Sequence, residues 1–250
     1  AHAQTSVGTP AITGDQLIFF YDARPGRVPF LTVTNPSDGA VDVEVAFYPA
    51  SLGSRLGTQR YTLGPAANVV IDPTSSDVAG GAAAGNAGLA VVTPVASGSS
   101  SQAIVPPLPL TGGFTLANTD LGTAFGENAF GRLAVSSSGK RAAPKAYVNG
   151  FTVMYQRFAP SALTIPTHFD PSTLDAASQD GNRVVLAAFA DSYGSEFDLR
   201  PATRDAAVTF DDASGLRVAS ASVSVTGVLL SDLESLAGTS LPATSGKVFF

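Results

Sequence analysis

The alternation of apolar and polar residues is clearest between Val28 and Tyr48. Two alternating runs there flank a turn-rich centre, Asn35-Pro36-Ser37-Asp38-Gly39. In the second run, positions 41, 43, 45 and 47 are apolar, whereas positions 42 and 44 are carboxylates. A period of two is typical of a strand that buries one face. The pattern predicts an antiparallel β-hairpin with one solvated face.

Further apolar runs of strand length recur along the chain and are separated by turns rich in Gly and Pro. The predicted strands are 17–21, 60–63, 69–72, 89–93, 102–105, 132–136, 146–158, 183–191, 206–210, 216–229 and 247–250. Segment 146–158 also fits a helical face, because its aromatic residues are three or four positions apart. Its Val and Gly residues favour a strand with a bend.

One short helical turn is predicted near residues 231–237. Ser231 and Glu234 form a capping-box pattern, Leu233 and Leu236 supply an apolar side, and Gly238 follows as a stop signal. The fold class that these patterns predict is all-β, with one or two antiparallel β-sandwich domains and this short helical turn.

The order of elements from about residue 28 to 106 resembles a module that is common in bacterial extracellular proteins. The matching segments are Leu31-Thr32-Val33-Thr34-Asn35-Pro36, the strand 41–48, Tyr61-Thr62-Leu63-Gly64-Pro65, the strands 69–72 and 89–92, and a strand at Ile104. The module resembles immunoglobulin-like β-sandwiches. The resemblance implies surface display, adhesion or assembly, and it carries no catalytic residue.

Turn-rich segments suggest the domain organisation. Residues 1–13 are small and polar and are interpreted as an extended tail. Residues 14–112 are expected to form the immunoglobulin-like β-sandwich, with a boundary at the Pro- and Gly-rich segment 106–113. Residues 113–250 are expected to form a second β-rich domain, interpreted as another β-sandwich. The sequence leaves open to which domain residues 113–160 belong.

Composition and charge exclude several classes of function. The net charge is −6, only 14% of the 250 residues are charged, and no basic stripe exists, so nucleic acid is not an expected partner. No apolar run reaches the ~20 residues of a membrane span. Without cysteine, disulfides, thiolate metal sites and thiol nucleophiles are excluded.

The first residues, Ala1-His2-Ala3-Gln4, are similar to the small-residue end of a signal-peptide cleavage site, although a chance pair of alanines explains them too. Together with the composition, they favour export to the periplasm, the outer surface or the extracellular space. Many cytosolic proteins also lack cysteine, so the cysteine count does not decide between compartments.

Catalytic motifs are absent from the sequence. The histidines are His2 in the tail and His168, which precedes Phe169 and Asp170. A His-x-Asp pair could orient an imidazole for general-base chemistry, but no nucleophile accompanies it. No nucleotide-binding glycine motif and no H-E-x-x-H zinc motif occur. We therefore assign no catalytic residue and no cofactor from the sequence.

Calcium is the best of the metal hypotheses, because hard oxygen ligands in loops often rigidify β-sandwiches. The weak candidate ligands are Asp198, Asp211 and Asp212. The segment 211–215 lacks the spacing of a calcium loop, and a solvated turn explains it more simply.

These observations together favour a non-enzymatic, exported structural or assembly subunit. Its expected partners are proteins, through self-assembly or within a larger complex, and the apolar end Val248-Phe249-Phe250 is a candidate interaction segment that could add a strand to a neighbour's sheet. One alternative is a binding module, either an adhesin or an accessory subunit docked on a membrane complex, which presents loops 75–88 and 179–205. A second alternative is a hydrolase with a site near His168.

Overall fold

The fold is all-β, as the sequence predicts, in the part of the chain that the structure describes. The computed structural model describes residues 13–95, 109–120, 123–132, 134–135, 154–155, 164–167, 183–188, 199, 201–212, 214–238 and 246–249. In these ranges the chain forms antiparallel sheets and one short α-helix. The described strands divide between two compact units: β1 to β11 belong to an N-terminal unit, and β12 to β16 with α1 belong to a C-terminal unit.

The strands of the N-terminal unit are β1 (Gln16–Asp22), β2 (Arg27–Thr34), β3 (Val41–Pro49), β4 (Gly57–Leu63), β5 (Asn68–Ile71), β6 (Ala87–Val95), β7 (Thr111–Asn118), β8 (Thr123–Asn128), β9 (Phe130–Arg132), β10 (Ala134–Val135) and β11 (Met154–Tyr155). The elements of the C-terminal unit are β12 (Thr164–Thr167), β13 (Arg183–Ala188), β14 (Thr203–Asp211), β15 (Arg217–Asp232), α1 (Leu233–Ala237) and β16 (Gly246–Phe249).

Most of the predicted strand segments overlap an observed strand. The exceptions concern the middle of the chain, where segment 102–105 lies outside the described residues. Of segment 146–158, only 154–155 is described, as β11.

Two sheets of the N-terminal unit pack against each other. One has the strand order β4-β3-β6-β1-β9 and the other has the order β5-β2-β7-β8. Phe20 of β1 meets Phe114 of β7 edge to face, with ring centroids 6.2 Å apart. At Gly112 of β7, a Cβ atom would lie 2.9 Å from Cζ of Phe19. These contacts between strands of different sheets are those of a β-sandwich, and they require a residue without a side chain at position 112.

The predicted hairpin between Val28 and Tyr48 is wrong. Both runs are strands, β2 and β3, but they do not pair with each other. β2 pairs with β5 and β7 in one sheet, whereas β3 pairs with β4 and β6 in the other. The turn-rich centre is therefore a crossing from one sheet to the other. The alternation shows only that each strand has one buried face. A hairpin within one sheet and a crossing between two sheets both meet this condition.

Asn35 holds this crossing through its buried side chain. Its amide nitrogen donates to the carbonyl oxygens of Gly39, at 2.7 Å, and of Gly64, at 3.0 Å. Its amide oxygen accepts from the backbone nitrogen of Ser37 at 3.1 Å and from the Ser37 hydroxyl at 2.6 Å. A buried amide with these partners fixes the conformation of the whole segment from residue 35 to 39.

The same asparagine joins this crossing to a second one. The segment between β4 and β5 also runs from one sheet to the other. The backbone nitrogen of Asn35 donates to the carbonyl oxygen of Ala67 at 2.9 Å. The backbone nitrogen of Ala66 donates to the carbonyl oxygen of Ser37 at 3.0 Å. We call the two linked segments, 35–40 and 64–67, the Asn35 junction. The junction lies at the end of the four-stranded sheet where β2 and β5 are side by side.

The central strands of the larger sheet are buried on both faces. All seven residues of β1 are buried, and β6 is buried from Gly88 to its end. The hydroxyl of Tyr21 donates to the carbonyl of Tyr48 at 3.1 Å, and the rings of Tyr21 and Phe47 meet edge to face. Burial, with a smaller contribution from the neighbouring carboxylate of Asp22, raises the pKa of Tyr21 above its ordinary value. The core of this unit is therefore centred on β1 and β6.

The domain boundary expected near residues 112–113 falls inside β7. This strand pairs with β2 along its whole length, from Thr111 opposite Thr34 to Asn118 opposite Arg27. β8 then pairs with β7, and β9 pairs with β1. In the structure, the strands up to residue 132 thus complete the sheets that begin with β1.

The C-terminal unit is built on the long strand β15 in a sheet of order β12-β16-β14-β15-β13. β15 pairs with β14 up to Thr226 and with β13 from Gly227 onwards. Gly227 has φ of 69°, a conformation that favours glycine, at the point where the pairing changes. Val208, Phe210 and Leu236 form the buried cluster of the described part of this unit.

The short helix predicted near residues 231–237 is confirmed as α1. It begins at Leu233 and not at the predicted cap, because Ser231 still lies in β15 opposite Val184. Gly238 follows with φ of 65°, which is the left-handed conformation of a helix stop.

Replacement of Asn35 by Ala is expected to lower the free energy of unfolding by about 2–4 kcal/mol, because the carbonyls of the junction lose a buried donor. Urea denaturation followed by circular dichroism measures the change. Asn68→Ala, at an exposed position of β5, is the matched control and is expected to stay within ~0.5 kcal/mol of the native chain. Equal losses in the two variants would contradict the role of Asn35.

Candidate protein-contact surface

The outer surface of the four-stranded sheet is the best candidate for a contact site. Along β2, Pro29, Leu31 and Val33 are buried, so the alternate residues from 28 to 34 point outwards. Residues that lie directly opposite in antiparallel strands share a face, so the register assigns the outward residues of the neighbouring strands. They are Val28, Phe30, Thr32 and Thr34 of β2; Asn68 and Val70 of β5; Thr111, Gly113, Thr115 and Ala117 of β7; and Ala124, Gly126 and Asn128 of β8.

None of these outward residues is charged, and we call this surface the uncharged face. Its relief is uneven. The half on β2 and β5 carries the large side chains Phe30, which is 39% exposed, and Val70, which is 60% exposed. The half on β7 and β8 carries only Thr, Gly, Ala and Asn. The uncharged face therefore has a high apolar half beside a low half of small side chains.

The margin of the uncharged face is polar. Asn68 and Asn128 lie at opposite edges of the sheet, on β5 and β8. Asp72 follows the end of β5, and its carboxylate oxygen accepts from the backbone nitrogen and the hydroxyl of Thr74, at 2.8 and 2.6 Å. An uncharged surface that exposes an aromatic side chain and has a polar margin shares these features with the general anatomy of a protein–protein interface.

The outer side of the other sheet has a different electrostatic character. Glu44 of β3 accepts from Arg55 and from Arg60, each at 3.2 Å. Beside it, the hydroxyl of Thr62 donates to Asp42 at 2.7 Å. These partly exposed ion pairs keep their charges in contact with water, where each contributes little to stability. Two outer surfaces of the same unit thus differ in charge, and only one of them could be buried without stripping water from charged groups.

Segment 72–86, between β5 and β6, packs closely on the charged sheet. Val78 and Ala83 are buried, and the backbone nitrogen of Ala79 donates to the side-chain oxygen of Gln59 at 3.3 Å. At Gly57 of β4, a Cβ atom would lie 2.9 Å from the Cβ of Ala82. Most of the loop 75–88 named in the sequence analysis is therefore a series of turns with buried residues of its own.

Two of the weak calcium candidates form the turn between β14 and β15. One carboxylate oxygen of Asp212 accepts from the backbone nitrogen and the hydroxyl of Ser214, at 2.9 and 2.6 Å, and from the backbone nitrogen of Leu216 at 2.9 Å. The bond from the Ser214 hydroxyl, followed by the bond from Leu216, lowers the pKa of Asp212 below its ordinary value. Asp211 accepts from Arg217 at 3.3 Å. Both carboxylates therefore have partners that explain their presence in a hairpin turn.

Other candidate residues from the sequence fall outside the described part of the chain. His168 and its neighbour Asp170 lie there, as do Asp198 and Phe250. The hypotheses of general-base chemistry at His168 and of a calcium ligand at Asp198 stay predictions. Within the described ranges, no three His, Cys, Asp or Glu side chains come together in a way that could hold a metal ion.

Of the candidate interaction segment at residues 248–250, the two described residues, Val248 and Phe249, are paired inside the chain. Val248 lies opposite Ile165 of β12 and opposite Phe210 of β14, and Phe249 is paired on both sides as well. Addition of these residues as a strand to a neighbouring sheet is therefore not compatible with this pairing. A contact through their side chains stays a prediction.

Comparisons with known proteins give no relative: no family model, no curated protein and no solved structure matches the chain. In the described ranges, no helix combines the length and the apolar character that crossing a bilayer requires.

The sequence did not indicate Phe30 and Val70 as residues of a contact surface. The available signal is that the polar positions of the first run of alternation, 28–34, are threonines and not the carboxylates of the second run.

Acidification is expected to weaken the turn between β14 and β15. Because the pKa of Asp212 is lowered in the folded state, the carboxylate stabilises the turn above its unfolded pKa of 3.8 and loses this effect as the pH falls through the lower folded value. NMR titration of the Asp212 carboxyl carbon and of the Leu216 amide measures both values. Asp212→Asn keeps the acceptor oxygen and is expected to remove the pH dependence. A normal pKa would contradict this assignment, and a shift of these signals on addition of calcium would favour the metal hypothesis.

Proposed function

We propose that this chain is a non-enzymatic structural or assembly subunit that works by protein–protein contact. The observation that carries the proposal is the uncharged face, a sheet surface without charged residues whose half on β2 and β5 exposes Phe30 and Val70. Burying such a surface releases water from apolar groups and leaves no charge without a partner. Depletion of charge with exposed aromatic residues distinguishes the centre of interfaces from other protein surface.

We also propose that the N-terminal unit is an immunoglobulin-like module with a modified strand order. In immunoglobulin domains, strands A, B, E and D form one sheet, and strands C′, C, F and G belong to the other. Here β5-β2 corresponds to E-B, and β4-β3-β6 corresponds to C′-C-F. The ends differ, since β1 lies beside β6, at the position of G, and β7 lies beside β2, at the position of A. Strands β2 to β6 support the proposal, and the exchange of the outer positions departs from the immunoglobulin order.

The location that fits this proposal is outside the cytoplasm, at a bacterial surface or in the periplasm. The support is the resemblance of residues 28–106 to extracellular modules, together with a low content of charged residues, 14% of the chain. A surface that presents apolar and small side chains fits extensive contact better than free solubility.

A binding module is the second candidate function, and the packing of segment 72–86 favours it. Val78 and Ala83 anchor this segment, and Gln59 binds its backbone, so the segment offers a preformed surface that pays little conformational entropy on binding. An adhesin or an accessory subunit would use such a surface to bind one partner while remaining a monomer otherwise.

In its native source, the protein is expected to sediment as a particle at least twice the mass of the monomer, because the proposed subunit buries its uncharged face in an assembly. Sedimentation of a mild extract, with the chain identified by mass spectrometry in each fraction, measures the particle size. Recovery of the chain only as a free monomer would contradict the assembly proposal. A monomer that binds one defined protein or glycan would instead support the binding module.

A further inference from the structure

We propose that the uncharged face binds the same face of a second copy of this chain, through a twofold axis that runs nearly parallel to the strands between β2 and β7. This inference rests on the proposed function and names its partner. Two observations carry it: the distribution of charge over the N-terminal unit, and the uneven relief of the uncharged face.

The charge distribution restricts what can cover the uncharged face. A charged group pressed against this surface would lose water and find no opposite charge in return, which is costly. The partner must therefore present a surface that is itself free of charge. The uncharged face is such a surface, whereas the outer side of β3 and β4, with Asp42, Glu44 and Arg60, is not. Contact between two uncharged faces leaves these charges in water.

The relief of the surface makes it complementary to itself. A twofold axis parallel to the strands exchanges left and right, so β2 of one copy lies over β7 of the other, and β5 lies over β8. The high half then meets the low half of Thr, Gly, Ala and Asn in the second copy, and Val70, which is in register with Asn128 through Thr32 and Gly113, lies over Asn128. The high half of each copy packs over the low half of the other copy. The two sides of the interface are then identical, as a twofold interface requires.

The register of the sheet specifies which residues meet. Phe30 lies directly opposite Thr115 in the pairing of β2 with β7, so the twofold axis places Phe30 of one copy over Thr115 of the second copy. Sheets that pack face to face keep their strand directions within ~30° of each other and lie about 10 Å apart. Phe30 is large enough to fill that distance above a small residue.

The size of the uncharged face predicts a weak contact. Four strands spaced by ~4.8 Å, each contributing about six residues of ~3.3 Å, give a footprint of roughly 400 Å². This area is about half of the ~800 Å² per partner of a stable interface. The net charge of −6 on each copy opposes association, and salt screens that repulsion. Self-association is therefore expected to depend on protein concentration and to increase with ionic strength. Binding to a basic partner would instead become weaker as the ionic strength increases.

Sedimentation equilibrium of the purified chain, with charge introduced at Phe30 or at Thr115, tests the inference. Phe30→Lys and Thr115→Glu are each expected to raise the dissociation constant of the dimer by roughly tenfold or more, because each buries two unpaired charges. Thr58→Lys is the matched control, since it adds the same charge at an exposed position of the other sheet and should leave the dimer intact. Val70→Lys repeats the test on β5, and circular dichroism confirms that each variant is folded.

An equimolar mixture of the Phe30→Lys and Thr115→Glu chains gives the sharpest result. The twofold axis places Lys over Glu in the mixed pair and leaves the other contact native, so the mixture is expected to dimerise when neither chain does alone. A chain that stays monomeric at high concentration and high salt, a Phe30→Lys dimer as tight as the native one, or a mixture that does not associate would each overturn the inference. A monomeric purified chain that is part of a large particle in its source would refute self-pairing and leave the proposed function standing.

Discussion

The buried amide of Asn35 determines how the two sheets of the N-terminal unit are connected. The chain crosses between the sheets after β2 and again after β4, and this side chain bonds to both crossings. The junction lies at the end of the sheet where β2 and β5 are paired, with Thr34 opposite Asn68. The pairing of these two strands is what brings Phe30 and Val70 onto one surface. The hydrogen bonds at the end of the sandwich thus adjoin the strand pair that carries the high half of the uncharged face.

The difference between the two outer surfaces of this unit has a physical logic. On β3 and β4, carboxylates and guanidinium groups alternate with buried valines, so that side of the sheet is stable in water. On β2 and β7, the same alternation uses threonine, glycine and alanine, together with the exposed ring of Phe30. Both patterns satisfy the folding of an isolated domain. Only the pattern on β2 and β7 leaves a surface that can be buried without removing water from charged groups. For that reason we relate this surface to the proposed assembly.

Local pattern was sufficient to predict the strands and the short helix, because alternation and capping residues act over a few positions. It was not sufficient to predict which strands pair. The run from Val28 to Tyr48 has the sequence of a hairpin, yet Asn35 bonds to residues near position 64, a contact that no local signal reports. The uncharged face could not be predicted from local pattern for the same reason, since it combines strands that extend from residue 28 to residue 128.

The carboxylate of Asp212 shows the opposite case, in which its hydrogen-bond partners are close in sequence. Its segment lacks the spacing of a calcium loop, and the structure gives Asp212 the role of an acceptor within its own turn. Side chains that bond to residues two to four positions away can be anticipated from sequence. Residues that act through distant strands, such as Phe30, require the register.

The burial of β1 on both faces has a consequence for synthesis of the chain. Its aromatic run, Leu17 to Tyr21, pairs with β6 at residues 88–92, and its other edge pairs with β9 near residue 131. On the ribosome, this segment emerges long before either neighbour exists, and contacts so distant in sequence form slowly. The nascent strand therefore spends that interval with its most apolar stretch exposed and its backbone unpaired, a state that favours aggregation and capture by chaperones.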